Sequence, residues 1–469
     1  MFNSILNGLL YFTGWPLALV LILGGLYFTV RTKFVQLRLF KETFRVIFEK
    51  PKTAGHVSSF GALMISTASR VGTGNIIGVS TAICLGGMGA VFWMWLTALI
   101  GGAAAFVEST LAQIYKRKNP DGSSYGGPSF YIESACHNKV LAVIFALALI
   151  FTYGVGYNML ASYNLQSSFS CFEFYLQHRL EAPWIFGFIT AALFLFTIMG
   201  GSKRLVKATG TMVPVMGLLY ILLTLITLCI NIKYIPGMIA DIFRSAFDFK
   251  AICGGFAGSV IMWGLKRGLY SNEAGIGSAP NAAAAAAVSH PVKQGLVQML
   301  SVFIDTNLLC TATALMCLSS GISPTVEMAG APFVQAAMQT TFGMNGPIFI
   351  AVAMVLFAFT TLLGNFYYVE SCFAYIIGKT PSKAMLFTVR FIGTVLIFFG
   401  ASMKMGLAWD IADIAQCILA FINIPVCIII GGVAYKALED YIAQRKKGLN
   451  PEFKAEDIQL PHKTDFWRD

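Results

Sequence analysis

Charge is what this sequence has least of. Asp, Glu, Lys and Arg make up 12% of its 469 residues, against about a quarter in a typical soluble protein. So little charge cannot cover a water-facing surface, so most of the chain must lie out of water. Metal-binding patterns are also missing. None of the ten cysteines forms a CxxC pair, so neither a zinc site nor a disulfide framework is indicated. Most of them fall in apolar runs and read as small packing residues. His56, His137, His178, His290 and His462 lie in loops or termini, and no two have metal-ligand spacing. No GxxxxGK[ST] loop and no nucleophile elbow occurs, which disfavours an ATP-driven pump and an enzyme. The N-terminus has no basic n-region and no A-x-A site, so the first apolar run is kept as a span.

What is present is apolar. Hydrophobic residues make up 57% of the chain, and the mean hydropathy is +0.71. Many runs reach the roughly 20 residues that a helix needs to cross a bilayer. They are continuous, unlike the alternating segments of a membrane β-barrel. The reading is an all-α polytopic membrane protein of about eleven spans. These are 8–30, 58–84, 89–115, 139–169, 183–201, 209–232, 251–269, 294–319, 345–376, 384–402 and 411–435. Residues 1–57 form a peripheral helix and a basic loop, and 436–469 form a polar tail containing "QRKKG".

The formal net charge of +11 would suggest nucleic acid in a soluble protein. Here it follows the positive-inside bias, and no nucleic-acid partner is expected. With the N-terminus outside, the basic stretches 31–52, 116–139, 203–207, 266–293, 379–390 and the tail face the cytoplasm. Arg179, Lys233, Arg244, Lys250 and Lys404 are left outside, and Arg70 falls within a span. An odd number of spans gives the same N-out, C-in arrangement.

With the first span set aside, ten remain, divisible into two sets of five, 58–232 and 251–435. The first member of each set is glycine-rich: "RVGTGNIIG" in one, "GGFAGSVIMWG" in the other. Glycines in one span alone serve close helix packing. Two interrupted spans at matching places point to a carrier with its site at the midplane of an inverted repeat. A break frees N–H and C=O groups that a bound ion or zwitterion can satisfy. Thr73, Gly74 and Asn75 sit where the first break falls. Thr360 and Thr361 are adjacent hydroxyls in an apolar run. They either bond back to the preceding turn or supply oxygens to a cation. Arg70 is expensive in a span and is assigned to an internal ion pair, with Glu108, Asp305 and Glu370 as candidate partners. "SNEAGIGSAPNAAAAA" reads as a cap and gate hinge before a small-residue helix, and "YGGPSFYIE" as a turn into a short amphipathic helix.

The motifs "ASRVGTGNIIGVSTAI", "GGMGAVFWMWLTALIGG", "YGGPSFYIE", "RGLYSNEAGIGSAP" and "FAFTTLLGN" together resemble the alanine/glycine:cation symporter family, the sodium:alanine symporters. The resemblance implies a leucine-transporter-type fold, two five-helix inverted repeats plus one extra N-terminal helix. It implies Na⁺-coupled uptake of a small neutral amino acid, alanine or glycine, across the bacterial inner membrane, with no organic cofactor. Position by position, it implies substrate contacts at Thr73, Gly74, Ile77, Gly156, Trp263, Thr361 and Asn365. It implies a Na⁺ site from Ala68, Val71, Phe357, Thr360 and Thr361. Two stretches depart from the family pattern. "LGNFYYVE" stands where "LGWSYYGE" is common, and "NMLASYN" where "NMVQANS" is. Exchanging an indole for an amide enlarges a site and adds hydrogen-bonding groups, which keeps glutamine, asparagine and serine as alternative substrates. H⁺ is the alternative coupling ion, although the threonine pair cannot titrate. A channel is the alternative class, but pores are usually lined by charge rings or carbonyl filters on symmetric subunits.

Overall fold

The computed structural model describes residues 8–49, 56–119, 122–248, 257–378, 381–460 and 464–467. Within them, eight helices are long and apolar enough to cross a membrane: Gly8–Arg31, Ala90–Ile114, Lys139–Ser167, Arg204–Ile230, Pro291–Leu318, Asn345–Ile377, Lys383–Gly400 and Met405–Ile430. The other three expected spans are not among these eight. Residues 58–84 are split into two half-helices, the stretch 183–201 yields the 17-residue helix Ala182–Ile198, and 251–269 is described from residue 257.

In chain order the helices are α1 (Trp15–Arg31), α2 (Val35–Arg38), α3 (Phe40–Ile47), α4 (Ser59–Arg70), α5 (Val79–Gly86), α6 (Ala90–Ile114), α7 (Pro128–Cys136), α8 (Lys139–Phe151), α9 (Tyr157–Ser167), α10 (Glu173–Gln177), α11 (Ala182–Ile198) and α12 (Gly201–Ile230). There follow α13 (Ile235–Ala246), α14 (Ala257–Asn272), α15 (Pro280–Ala285), α16 (Pro291–Val302), α17 (Thr311–Leu318), α18 (Ala331–Phe342), α19 (Asn345–Ile377), α20 (Lys383–Gly400), α21 (Met405–Ile430) and α22 (Gly432–Lys446). Strands β1 (Arg117–Lys118) and β2 (Ser124–Tyr125) make a short antiparallel pair with Arg117 opposite Tyr125. Three stretches are π-helical: Gly74–Gly78, Thr152–Gly156 and Phe303–Cys310. A few helix starts carry side-chain caps. The Ser58 hydroxyl accepts from Gly61 N at 3.0 Å, and Asn138 Oδ1 accepts from Leu141 N at 2.9 Å.

Two long helices organise the bundle. α6 packs on α1, α14 and α16, and α19 packs on α4, α9, α12 and α18. The α19–α4 crossing is backbone to backbone, because a Cβ on Gly364 would stand 2.5 Å from the nitrogen of Ser69. The outward faces of α11 and α12 carry exposed Phe188, Leu193, Phe196, Leu218, Leu222 and Leu225, as a lipid-facing wall requires.

The second break lies further along than expected. α14 runs unbroken through "AGSVIMWG", while the "GGF" that opens the glycine-rich stretch, residues 254–256, lies outside the described residues. Gly264 there packs on Ala90 and Trp93 of α6, so it serves helix approach rather than interruption. The chain leaves the helix only at Glu273, which takes φ +54°, followed by Gly275 at +86° and Gly277 at +82°. The alanine run Pro280–Ala285 is the half-helix α15 beyond this break.

The tail is also more ordered than a polar leash. Beyond α22 it folds back: Phe453 N donates to Ser289 O at 2.9 Å, and Trp467 Nε1 to Gln113 O at 2.8 Å. Buried Lys116 lies under the rings of Phe466 and Trp467, 3.9 and 4.8 Å from their centroids. Its ammonium donates to Ala286 O at 3.1 Å.

Candidate functional site

The first break is short. α4 ends at Arg70, Val71 turns to φ −75°, ψ 90°, and the π-helical turn begins at Gly74. Asn75 holds it in place. Its Oδ1 accepts from Gly72 N at 2.8 Å, and its Nδ2 donates to Asp305 Oδ1 at 2.8 Å. This is how a freed backbone N–H stays satisfied in an apolar interior. Asp305 sits in the π-helical segment between α16 and α17, and Oδ2 accepts from Ser271 of α14 and from Thr306, both at 2.8 Å. The two broken helices are thereby tied through one carboxylate.

Thr73 is the centre of the arrangement. Asn164 of α9 donates to its hydroxyl at 3.0 Å, and the Tyr270 hydroxyl of α14 lies 3.3 Å away. A Cβ on Gly74 would stand 2.9 Å from the Tyr270 ring, so only glycine fits there. Tyr270 stacks edge-on with Tyr157 (4.7 Å) and Trp409 (4.9 Å). Arg267 lies 3.9 Å over the Trp409 ring and pairs with Asp413 at 2.5 Å. Gln416 joins Asp413 to the Tyr157 hydroxyl, at 3.1 and 2.8 Å. Thr73, Asn164, Tyr270 and Arg267 are all buried. The region around Thr73 is therefore closed.

At the second break, carboxylates hold the backbone. Glu108 of α6 accepts from Gly277 N at 3.1 Å, from Gly275 N at 3.4 Å and from Asn423 Nδ2 at 2.7 Å. Glu273 accepts from Ser278 at 2.6 Å and from Ser69 at 2.9 Å. The Ser69 hydroxyl is also 2.6 Å from Asn365 Oδ1, and Asn365 Nδ2 is 2.9 Å from Asn158 Oδ1. One hydroxyl proton cannot serve two acceptors. Turning over the amides of Asn365 and Asn158 lets each group pair, with Ser69 donating to Glu273.

Arg70 does not form the expected direct ion pair. Its Nη1 donates to Gln298 O at 3.1 Å, while Nε and Nη2 have no hydrogen-bond partner among the described residues. Glu108, Glu273 and Asp305 act on it through space. Glu370 is engaged elsewhere, with Arg390 at 2.6 Å.

The sequence-derived residues divide into those that meet and those that do not. Thr73 and Gly74 are at the closed centre. Thr361 of α19 faces the break, because a Cβ on Gly72 would collide with its hydroxyl. Ala68 and Val71 flank that contact on the chain, and the Phe357 carbonyl accepts from Thr361 at 2.9 Å and Thr360 at 3.0 Å. Both threonines are back-bonded, which leaves their lone pairs free for a cation. Thr360 also points at Met216 Sδ of α12, 3.5 Å away. Asn365 is taken up by the Ser69–Asn158 link. Ile77 lies one turn past the break, near the loop at Gly330, and Gly156 packs on Ile411 and Ala412 of α21. Trp263 lies against Gly86 at the end of α5 and 5.4 Å from the Arg267 guanidinium, apart from Thr73. Asn164, Tyr270, Tyr157 and Trp409 were not singled out from the sequence. A signal for two of them was present: Asn164 is an amide in an apolar span, and Tyr270 immediately precedes the "SNEAG" break.

Two broken helices meeting at a closed polar centre inside an apolar bundle define a membrane carrier. The sodium:alanine symporter family profile matches residues 1–455, and the chain belongs to that family. It is 43% identical over 469 residues to the amino-acid carrier protein AlsT of Bacillus subtilis, covering 100% of this chain and 98% of that one. It is 39% identical to the probable sodium/glutamine symporter GlnT of the same organism, with 96% and 93% covered. It is 37% identical to the sodium/alanine symporter AgcS of Methanococcus maripaludis, with 95% and 98% covered.

Proposed function

We propose that this chain is a Na⁺-coupled symporter of a small neutral amino acid, alanine or glycine, working by alternating access in the bacterial inner membrane. The observation that carries this reading is the closed meeting of the two breaks, where Thr73, Tyr270 and Asn164 join three helices. In the proposed architecture, 58–232 and 251–435 are inverted five-helix repeats, 1–57 is peripheral, the N-terminus is outside, and the tail is cytoplasmic. The substrate carboxylate meets the N–H groups that start the turn at Gly74, where the helix dipole favours negative charge. The substrate ammonium meets carbonyls at the end of α4, and the Thr73 hydroxyl orients the ligand. Na⁺, as cargo, takes oxygens from Ala68, Val71, Phe357, Thr360 and Thr361 between α4 and α19. Ile77 walls the substrate's apolar side. Gly156 and Trp263 act at one remove, through α21 and through Arg267. The membrane potential adds about 2.3 kcal/mol per charge per 100 mV to the gradient. No organic cofactor takes part.

The Tyr270 ring against Gly74 favours a substrate with little or no side chain. Asn365 bears on glutamine, asparagine or serine: its amide is engaged by Ser69 and Asn158, so it is not free to read a polar side chain. Uptake of labelled alanine, glycine and glutamine into proteoliposomes, under Na⁺, H⁺ or no gradient, tests the reading. Uptake indifferent to every cation gradient overturns symport, and preference for glutamine overturns the small-substrate assignment.

A further inference from the structure

At the end of the bundle that carries α22, several basic residues near the chain's turns are paired. Arg45 and Arg445 hold Glu42 at 2.7 and 2.9 Å, and Lys293 holds Glu49 at 2.7 Å. One group is not. A cavity of about 260 Å³ between the end of α1 and α22 is lined by Arg31, Lys33, Arg38 and Lys446, with Glu439 its one acidic residue. None of these five is in an ion pair within 4 Å among the described residues. Three uncompensated positive charges thus converge on one concave site.

The site is built rather than incidental. α1 stops at Arg31, and the chain reverses through Lys33 at φ +54° and Phe34 at +57°, two consecutive non-glycine residues in the left-handed region. Such a turn is costly and persists only when its surroundings hold it. Here Gln36 donates to the Thr29 hydroxyl at 3.0 Å, Phe34 N to Thr29 O at 2.8 Å, and Arg38 to Thr32 O at 3.4 Å. The Arg31 guanidinium lies 4.9 Å over the Tyr435 ring, which fixes its direction. The turn also exposes Val30, Phe34 and Leu37 beside the charges. Cations in a pocket with apolar side chains at its rim, where a 24-residue span ends, match one ligand chemistry: a phosphate head with acyl chains attached.

We propose that this pocket is a binding site for the headgroup of an anionic phospholipid, whose acyl chains lie along the exposed Val30 at the end of α1, Phe34 in the turn and Leu37 of α2. Arg31 and Arg38 hold the phosphate oxygens through paired N–H groups, and Lys33 and Lys446 supply charge. The lipid fastens the peripheral helix α1 to α22. The site does not depend on which amino acid or ion is carried.

The test uses the purified full-length chain in neutral detergent, with dioleoylphosphatidylglycerol, dioleoylphosphatidylcholine and inorganic phosphate as probes. Binding is read by native mass spectrometry and by the shift in melting temperature. Phosphatidylglycerol is expected to remain bound and raise the melting temperature, while the other two do neither. The triple variant Arg31→Gln, Lys33→Gln, Lys446→Gln is expected to bind it roughly a hundredfold more weakly. A control, Lys41→Gln, Lys436→Gln, Lys447→Gln, removes the same charge from exposed positions outside the pocket and is expected to bind normally. Equal losses in both variants mean diffuse surface attraction and overturn the proposal. Inorganic phosphate that matches the lipid also overturns it. If the triple variant is unstable, the double charge reversal Lys33→Glu, Lys446→Glu, at two exposed side chains, must still abolish retention.

Discussion

The hydroxyl of Thr73 and the hydroxyl of Tyr270 stand 3.3 Å apart, each supplied by a different broken helix. Tyr270→Phe keeps the ring against Gly74 and removes only this contact. A lost hydrogen bond of ordinary strength weakens substrate affinity by about three- to tenfold. The expected outcome is a raised KM for the amino acid with an unchanged melting temperature, measured by uptake and thermal unfolding of the same preparation. An unchanged KM would remove Tyr270 from the substrate's surroundings.

The two adjacent threonines make separable predictions. Thr361 faces the break at Gly72, whereas Thr360 also points toward Met216. Thr361→Val is expected to raise the Na⁺ concentration for half-maximal uptake by about 10- to 100-fold, as loss of a ligand to a charge does. Thr360→Val is expected to do less. Equal effects, or none, in Na⁺ titrations of uptake would displace the ion from this pair.

Gly364→Ala tests the α19–α4 crossing. The added Cβ would stand 2.5 Å from the Ser69 nitrogen, and backbone does not yield as a side-chain tip does. Overpacking of this kind costs about 1–3 kcal/mol. A lowered melting temperature is expected, with Na⁺ dependence impaired because the same crossing carries Thr361.

Arg267 and Asp413 pair at 2.5 Å with side chains 1% and 7% exposed. Asp413→Ala strands a buried guanidinium and is expected to cost about 3–5 kcal/mol. The double variant Arg267→Met, Asp413→Leu is expected to recover most of that stability and not the transport cycle. Recovery of both would reduce the pair to a packing element.

Acid should loosen the tail. Burial holds His290 below its ordinary value of 6.5, with Asp440, Lys293 and Tyr441 around it. The hydrogen bond from His290 holds the Asp440 carboxyl below its ordinary 3.8. Both folded-state values are depressed. Their stabilisation is therefore complete above the unfolded values and is lost as pH falls through the lowered ones. Protection from hydrogen exchange across residues 449–460, taken relative to the intrinsic rate at each pH, is expected to be high near neutral pH and to fall as pH drops below about 6.5, the ordinary histidine value at which the unfolded chain begins to take up the proton.

Much of the bundle was readable from apolar run length, because a bilayer demands about twenty residues per crossing. The break at Thr73 was readable because "VGTGN" puts two glycines and an asparagine in mid-span and a second glycine-rich span stands at the matching place. The second break was placed too early because glycine density marks both close packing and interruption, and Gly264 serves the former. Its true position depends on Glu273, Gly275 and Gly277 taking left-handed angles, held by Glu108 from a distant helix. No local pattern encodes that contact. The same holds for Trp409, whose neighbours Tyr270 and Arg267 come from elsewhere in the chain. Arg70 looked in sequence like half of an ion pair, but three carboxylates surround it at a distance, each satisfied by its own donors.

The fold-back of the tail has a practical side. Trp467 lies against Gln113 and Lys116, and both reach the carbonyl of Ala286 at the end of the half-helix α15. A bulky fluorescent protein attached beside Trp467, at this end of the described residues, would crowd that contact. It would load the very half-helix whose movement an assay is meant to follow. A small environment-sensitive dye at the same end would instead signal whenever Trp467 leaves its seat.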